Sequence, residues 1–175
     1  GALRMLDRDH DAAIAWCGRA VELARQHGDR ERELASRATA STARMFIDHD
    51  AGCAEAREVL ATARAEGQHG VAASLLMNLG AVAGELMHLA PALAWLHEAV
   101  AYAREHEMDG NRLYASAWLA LCQLRTGDWA AAAEGAAAVV ERTDAGSISR
   151  LTALVVLGSL RALRGDPGAQ ATLDE

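Results

Sequence analysis

The sequence contains no lysine; all 17 of its basic residues are arginine, and against 24 acidic residues they leave a formal net charge of −7. Affinity for a phosphate backbone needs a basic face, so this balance argues against a nucleic-acid surface. The uniform choice of arginine points to coding bias in a GC-rich bacterial genome, not to mechanism. Aromatics are scarce, with a single Phe, and proline occurs only at Pro91 and Pro167, while alanine supplies much of an apolar fraction of 51%. Such a composition favours closely packed helices over sheet. Cys17, Cys53 and Cys122 form an odd set without C-x-x-C spacing, which reads as buried thiols and not as disulfides, metal ligands or redox groups. No apolar run is long enough to span a bilayer and no basic-then-apolar stretch opens the chain. Neither a transmembrane helix nor a signal peptide is therefore expected, and the reading is cytoplasmic.

What the chain does have is helical spacing of small and large apolar residues. After the polar turn at Asp7–His10, Ala13, Ile14, Cys17, Ala20, Val21 and Ala24 fall on one stripe, which Gly28-Asp29 ends. Further helices are expected over about 30–47, 51–66, 70–87, 91–107, 111–125, 129–142 and 147–164. Pro91 suits a first helical residue, and Asp128 and Ser147 suit N-caps. Gly165-Asp166-Pro167 would begin one more helix. Ala2 to Leu6 reads as the tail of a helix, and both ends read as cut, so 1–175 is expected to be a single helical-repeat domain excised from a longer protein.

The helices repeat at a step near 40 residues, a period of helical solenoids. In the second helix of each pair one position reads Ala13, Gly52, Ala92 and Ala132, at steps of 39, 40 and 40. All are small, as a close helix crossing demands. In the first helix the dipeptides Thr39-Ala40, Leu79-Gly80, Leu119-Ala120 and Leu157-Gly158 recur at steps of 40, 40 and 38, again with a small second member.

These positions resemble tetratricopeptide repeats of the longer kind found in kinesin light chains and many bacterial regulators. Leu79-Gly80, Leu119-Ala120 and Leu157-Gly158 match that family's Leu-Gly pair, Gly127-Asp128-Trp129 its Gly-Asp-Tyr turn, and Ala13, Ala92 and Ala132 its invariant small position. Thr39 stands where Leu is usual, Gly52 where Ala is, and His10 and His49 at the aromatic turn position. The resemblance implies an all-α, right-handed α-solenoid of about four antiparallel helix pairs with truncated ends. From Leu113 to Gly168 the run is similar, more narrowly, to the repeat region of large LuxR-family regulators, which carry an ATPase module before the repeats and a helix-turn-helix after them. No G-x-x-x-x-G-K-[ST] loop is present.

Chemistry-bearing residues have a plainer explanation in the repeat. His10, His49 and His88 fall at turns within pairs, and His27, His69 and His106 near turns between pairs; His97-Glu98 lacks a second His four residues on. Trp16 and Trp95 are equivalent across two units and are expected to pack between successive pairs. No Ser or Cys is grouped with a His and a carboxylate at a recognisable spacing, and the carboxylates lie on polar faces near Arg. No catalytic residue, metal or cofactor is expected.

In tetratricopeptide arrays the first helix of each pair lines the concave surface. By that resemblance the partner-binding groove falls on Arg37, Ser41 and Arg44, on Ser74, Met77 and Glu85, and on Tyr114, Leu121 and Arg125. Tyr114, Arg125 and Arg44 would be its anchors. The other reading of these positions is that several apolar ones pack against the neighbouring repeat. The groove lacks the Lys/Asn set that clamps a C-terminal carboxylate, and suits an amphipathic helix or an extended segment. The expected function is a non-catalytic protein-interaction or signal-sensing domain of a bacterial LuxR-family-like transcriptional regulator. Its partner would be a protein or peptide segment, another domain of the same polypeptide included, with no direct nucleic-acid or membrane contact. The alternative is a free-standing oligomerisation or scaffold module, a homodimer among its forms, with an enzyme a distant third. If the repeat register is right, Ala92→Leu overpacks a helix crossing and lowers stability by roughly 1–3 kcal/mol in a chemical-denaturation titration.

Overall fold

The computed structural model describes residues 2–166, and these form only helices: α1 (Ala2–Leu6), α2 (His10–Gln26), α3 (Arg30–Arg44), α4 (His49–Ala65), α5 (His69–Glu85), α6 (Leu89–Glu105), α7 (Asp109–Thr126), α8 (Trp129–Val140) and α9 (Ser147–Arg164). The chain divides into two compact units, Gly1–Val82 and Ala83–Glu175, and α5 runs across the division. In the first unit α2 packs against α1 and α3, and α3 against α4; in the second α7 packs against α6, α8 and α9, and α8 against α9. Both units are thus all-α, with the sequential neighbour packing of helical-hairpin repeats. Among the described residues no helix is long and apolar enough to cross a membrane.

One turn design joins most of the helices. Arg8, Gly28, Gly67, Met87, Glu107, Gly127 and Gly165 each take the left-handed conformation just beyond a helix end. The residue after each donates its backbone N–H to the carbonyl five residues back, at 2.8 to 3.0 Å, as Asp29 does to Ala24 and Asp128 to Gln123. This is the Schellman arrangement, which satisfies carbonyls that the helix leaves over. At the first six of these turns the donating residue then stands at the start of the next helix. Asp9, Asp29, Asp48 and Asp128 are N-caps, each accepting from the backbone N–H three residues on at 3.1 to 3.3 Å. At α6 the cap is His88, which makes no such bond, and three residues on stands Pro91, which has no N–H to satisfy. Cap and proline compensate each other.

Pro91 is therefore the third helical residue, not the first, still within the turn whose N–H groups need no partner inside the helix. Ser147 is also displaced: Gly146 holds the cap position of α9, without a side-chain bond. The helix expected over 30–47 stops at Arg44, and that expected after Pro167 lies outside the described residues. Trp16 does not pack between pairs; it is 49% exposed, with the Arg19 guanidinium 4.9 Å from the ring centroid. His10 does serve as the turn aromatic, stacking on Phe46 with centroids 4.3 Å apart. All three cysteines are free and buried.

The small positions explain how close the helices lie. Ala13, Ala92 and Ala132 are fully buried. At Gly52 the crossing is tighter still, because an added Cβ would lie 2.5 Å from the backbone nitrogen of Met45 and 2.8 Å from its Cα. The glycine is required where the sequence made it look irregular. Gly52→Ala must push backbone aside and is expected to destabilise by roughly 1–3 kcal/mol. Glu107→Gly, which relieves a left-handed residue at φ 55°, should instead stabilise by roughly 0.5–1 kcal/mol. Thermal melts of the two variants should move in opposite directions.

Candidate interaction surfaces

In the first unit an ion network ties three helices at their ends. The Arg30 guanidinium donates to both carboxylate oxygens of Glu66 at 2.8 Å and, through its third nitrogen, to Glu33 at 2.8 Å. Arg25, in the last turn of α2, donates to the other oxygen of Glu33 at 3.0 Å. Glu33 is buried, and its carboxyl is held below the ordinary range chiefly by Arg30 and then by Arg25, against the opposing effect of burial. A second pair, Arg44 with Glu55 at 3.0 Å, joins α3 to α4.

With Glu33 turned into that network, α3 presents Ala35 and Thr39 to grooves on either side. Between α2 and α3 runs a groove of about 480 Å³, lined mainly by apolar atoms, with Cys17, Ala20, Leu23 and Ala24 on one wall and Arg32, Ala35 and Thr39 on the other. Burial pushes the Cys17 thiol above its usual range, so it is a packing group there. Between α3 and the part of α5 in the same unit lies a groove of about 370 Å³, with Glu31, Ala35 and Thr39 facing Gly70, Ser74 and Asn78. Except for Ser74, the residues of this second groove were not among those expected. Their signal in the sequence is the i, i+4, i+8 spacing of small and polar side chains at 31/35/39 and 70/74/78.

The expected site residues separate between the units. Arg37, Arg44 and Met77 in the first are half-buried, with Arg44 engaged by Glu55. Ser41 is fully buried and its hydroxyl donates to the Ala38 carbonyl at 2.9 Å, so it offers no surface to a partner. In the second unit Tyr114, Trp118, Leu121 and Arg125 share one face of α7. Leu121 packs against the core of that unit. Burial raises the Tyr114 phenol above its ordinary range; the nearby Glu85 carboxylate adds to this and the Trp118 indole opposes it. Arg125 donates to the Gly84 carbonyl at 2.8 Å, near the end of α5, where an added Cβ would meet Cys122 Sγ at 2.7 Å. The guanidinium thus holds a helix C-terminus.

Among the described residues no three His, Cys, Asp or Glu side chains come together as a metal could use them. Comparison with family models, with curated proteins and with solved structures finds no match.

The lowered Glu33 carboxyl gives the network a pH signature. A carboxylate whose folded pKa is depressed contributes stability above its ordinary pKa, near 4.5, and loses it as pH falls through the folded value. Arg30→Met should cost about 1 kcal/mol at neutral pH, discounted because Arg30 is 42% exposed. The gap in melting temperature between variant and parent should narrow as pH is lowered from 5 towards 3.

Proposed function

We propose that the chain is a non-catalytic interaction domain of a bacterial, cytoplasmic regulator, and that it receives a peptide or helical segment of a partner on the first helices of its repeats. The observation that carries this is the groove between α3 and α5, whose walls are small and polar side chains, with α3 itself held by ion pairs to its neighbours. Such a surface suits a segment that brings its own larger side chains. The repeat resemblance at Leu79-Gly80, Leu119-Ala120 and Gly127-Asp128-Trp129 supports the same reading, and the narrower likeness to LuxR-family regulators supplies its biological setting. Tyr114, half-buried on the α7 face it shares with Trp118, is the anchor in the second unit.

Selection from a library of helical and extended peptides on the immobilised chain tests this. A selected segment should bind Ser74→Arg/Asn78→Arg at least about tenfold more weakly, roughly 1.4 kcal/mol, by fluorescence anisotropy, with the melting temperature unchanged. Equal binding by that variant would place the site elsewhere.

A further inference from the structure

The groove between α3 and α5 carries two polar groups that the fold leaves unused. Its α3 wall runs from Glu31 through Ala35 to Thr39, and its α5 wall from Gly70 through Ser74 to Asn78. Glu31 is exposed in the first turn of α3, and the arginines on either side of it are engaged elsewhere, Arg30 with Glu66 and Glu33 and Arg32 with Asp29. The Thr39 hydroxyl is taken up by the Ala35 carbonyl at 3.0 Å. Among the described residues neither Glu31 nor Asn78 makes a hydrogen bond or an ion pair. Asn78 is half-buried, and its carboxamide offers two N–H donors and a carbonyl acceptor. At Gly70 an added Cβ would meet nothing within 4 Å, so the α5 wall is open there. One groove thus holds an unpaired carboxylate and an unpaired carboxamide.

Length and volume select the form of the segment that fits. From Glu31 to Thr39 the α3 wall rises roughly 12 Å. A helix of that length and about 10 Å across occupies about 900 Å³, against 370 Å³ in the groove, so only its edge could enter. An extended segment covers the same span with about three to four residues and takes roughly 600 Å³, of which the row of side chains facing solvent lies outside the groove. We infer that the occupant is an extended, basic segment: an arginine or lysine of it pairs with Glu31, and about three to four residues along, Asn78 takes the N–H and C=O of one of its peptide units. This inference rests on the reading of the groove as a receiving site and narrows its partner to one charge and one backbone form. The net charge of −7 favours the approach of a basic segment in the same sense. Because Glu31 is exposed, its pairing governs the choice of partner more than the affinity.

Selection of random short peptides on the full parent chain and, separately, on Glu31→Arg reads the charge, with helicity of the variant checked first. Peptides taken by the parent should share an Arg or Lys at one position, and those taken by the variant an Asp or Glu there. A fluorescein-labelled peptide selected on the parent should bind Glu31→Arg roughly three- to tenfold more weakly at low salt, and replacing its basic residue by Glu should restore binding to that variant. Asn78→Ala should weaken all selected peptides alike, since a peptide unit is common to them. Peptides that lose affinity for Ser74→Arg/Asn78→Arg yet share no basic residue, or that bind Glu31→Arg as well as the parent, would overturn the basic-segment assignment while the groove reading stands. So would peptides whose shared residues fall at helical spacing. Peptides indifferent to Ser74→Arg/Asn78→Arg, or a selection that yields none, would overturn both.

Discussion

The left-handed residue that closes a helix is the constraint on which the rest of this structure depends. It reverses the chain in one residue, and the next residue both completes the Schellman bond and opens the following helix. With so little chain between them, successive helices have to run antiparallel and side by side. Their closeness then forces small residues at the crossings, which is why Ala13, Gly52, Ala92 and Ala132 recur. Turn, cap and crossing are one linked design. The α3–α4 and α8–α9 linkers lack the left-handed residue, and in the first of them the chain lies so close to the next helix that Met45 leaves no room for a Cβ at position 52.

This linkage explains how much could be read without coordinates. Among the described residues the order of the helices was legible because Gly-Asp at 28–29, 127–128 and 165–166 marks the turn directly and the small residues mark the crossings. Boundaries slipped by about two residues where the left-handed position is Met87 or Glu107, since neither side chain announces that conformation. Pro91 was misplaced for a related reason: proline is tolerated throughout the first turn, and only the silent cap at His88 shows which place it takes. Surface residues were harder. Ser41 sits at a position that the tetratricopeptide resemblance puts on the groove, yet it is fully buried and its hydroxyl is spent on the Ala38 carbonyl. Glu31, Thr39 and Asn78 carry no local signature, because whether a polar side chain lines a groove depends on the helix opposite.

The arginines show a further division of labour. Arg30 and Arg25 converge on Glu33, Arg44 binds Glu55, Arg125 holds the Gly84 carbonyl and Arg150 the Val140 carbonyl at 2.9 Å. A forked, always-charged group can bridge a helix end and a neighbouring helix in fixed geometry, which an ammonium cannot do as well. These guanidiniums are committed to holding helix ends. Two of the three expected anchors, Arg44 and Arg125, belong to this set, so on the proposed reading recognition would fall to residues that the fold does not already use.

Those residues are found by asking which positions the repeat leaves unconstrained. Inside the crossings side-chain size is dictated by neighbouring backbone, and inside the turns by the left-handed conformation and the cap. On α3, Ala35 and Thr39 lie outside both the crossings and the turns: they line the grooves, the first exposed and the second half-buried. A repeat built this way can keep its scaffold while its grooves diverge. On the reading proposed above, ligand choice would rest on the groove residues at 31/35/39 and 70/74/78 rather than on the periodic residues that make the fold recognisable.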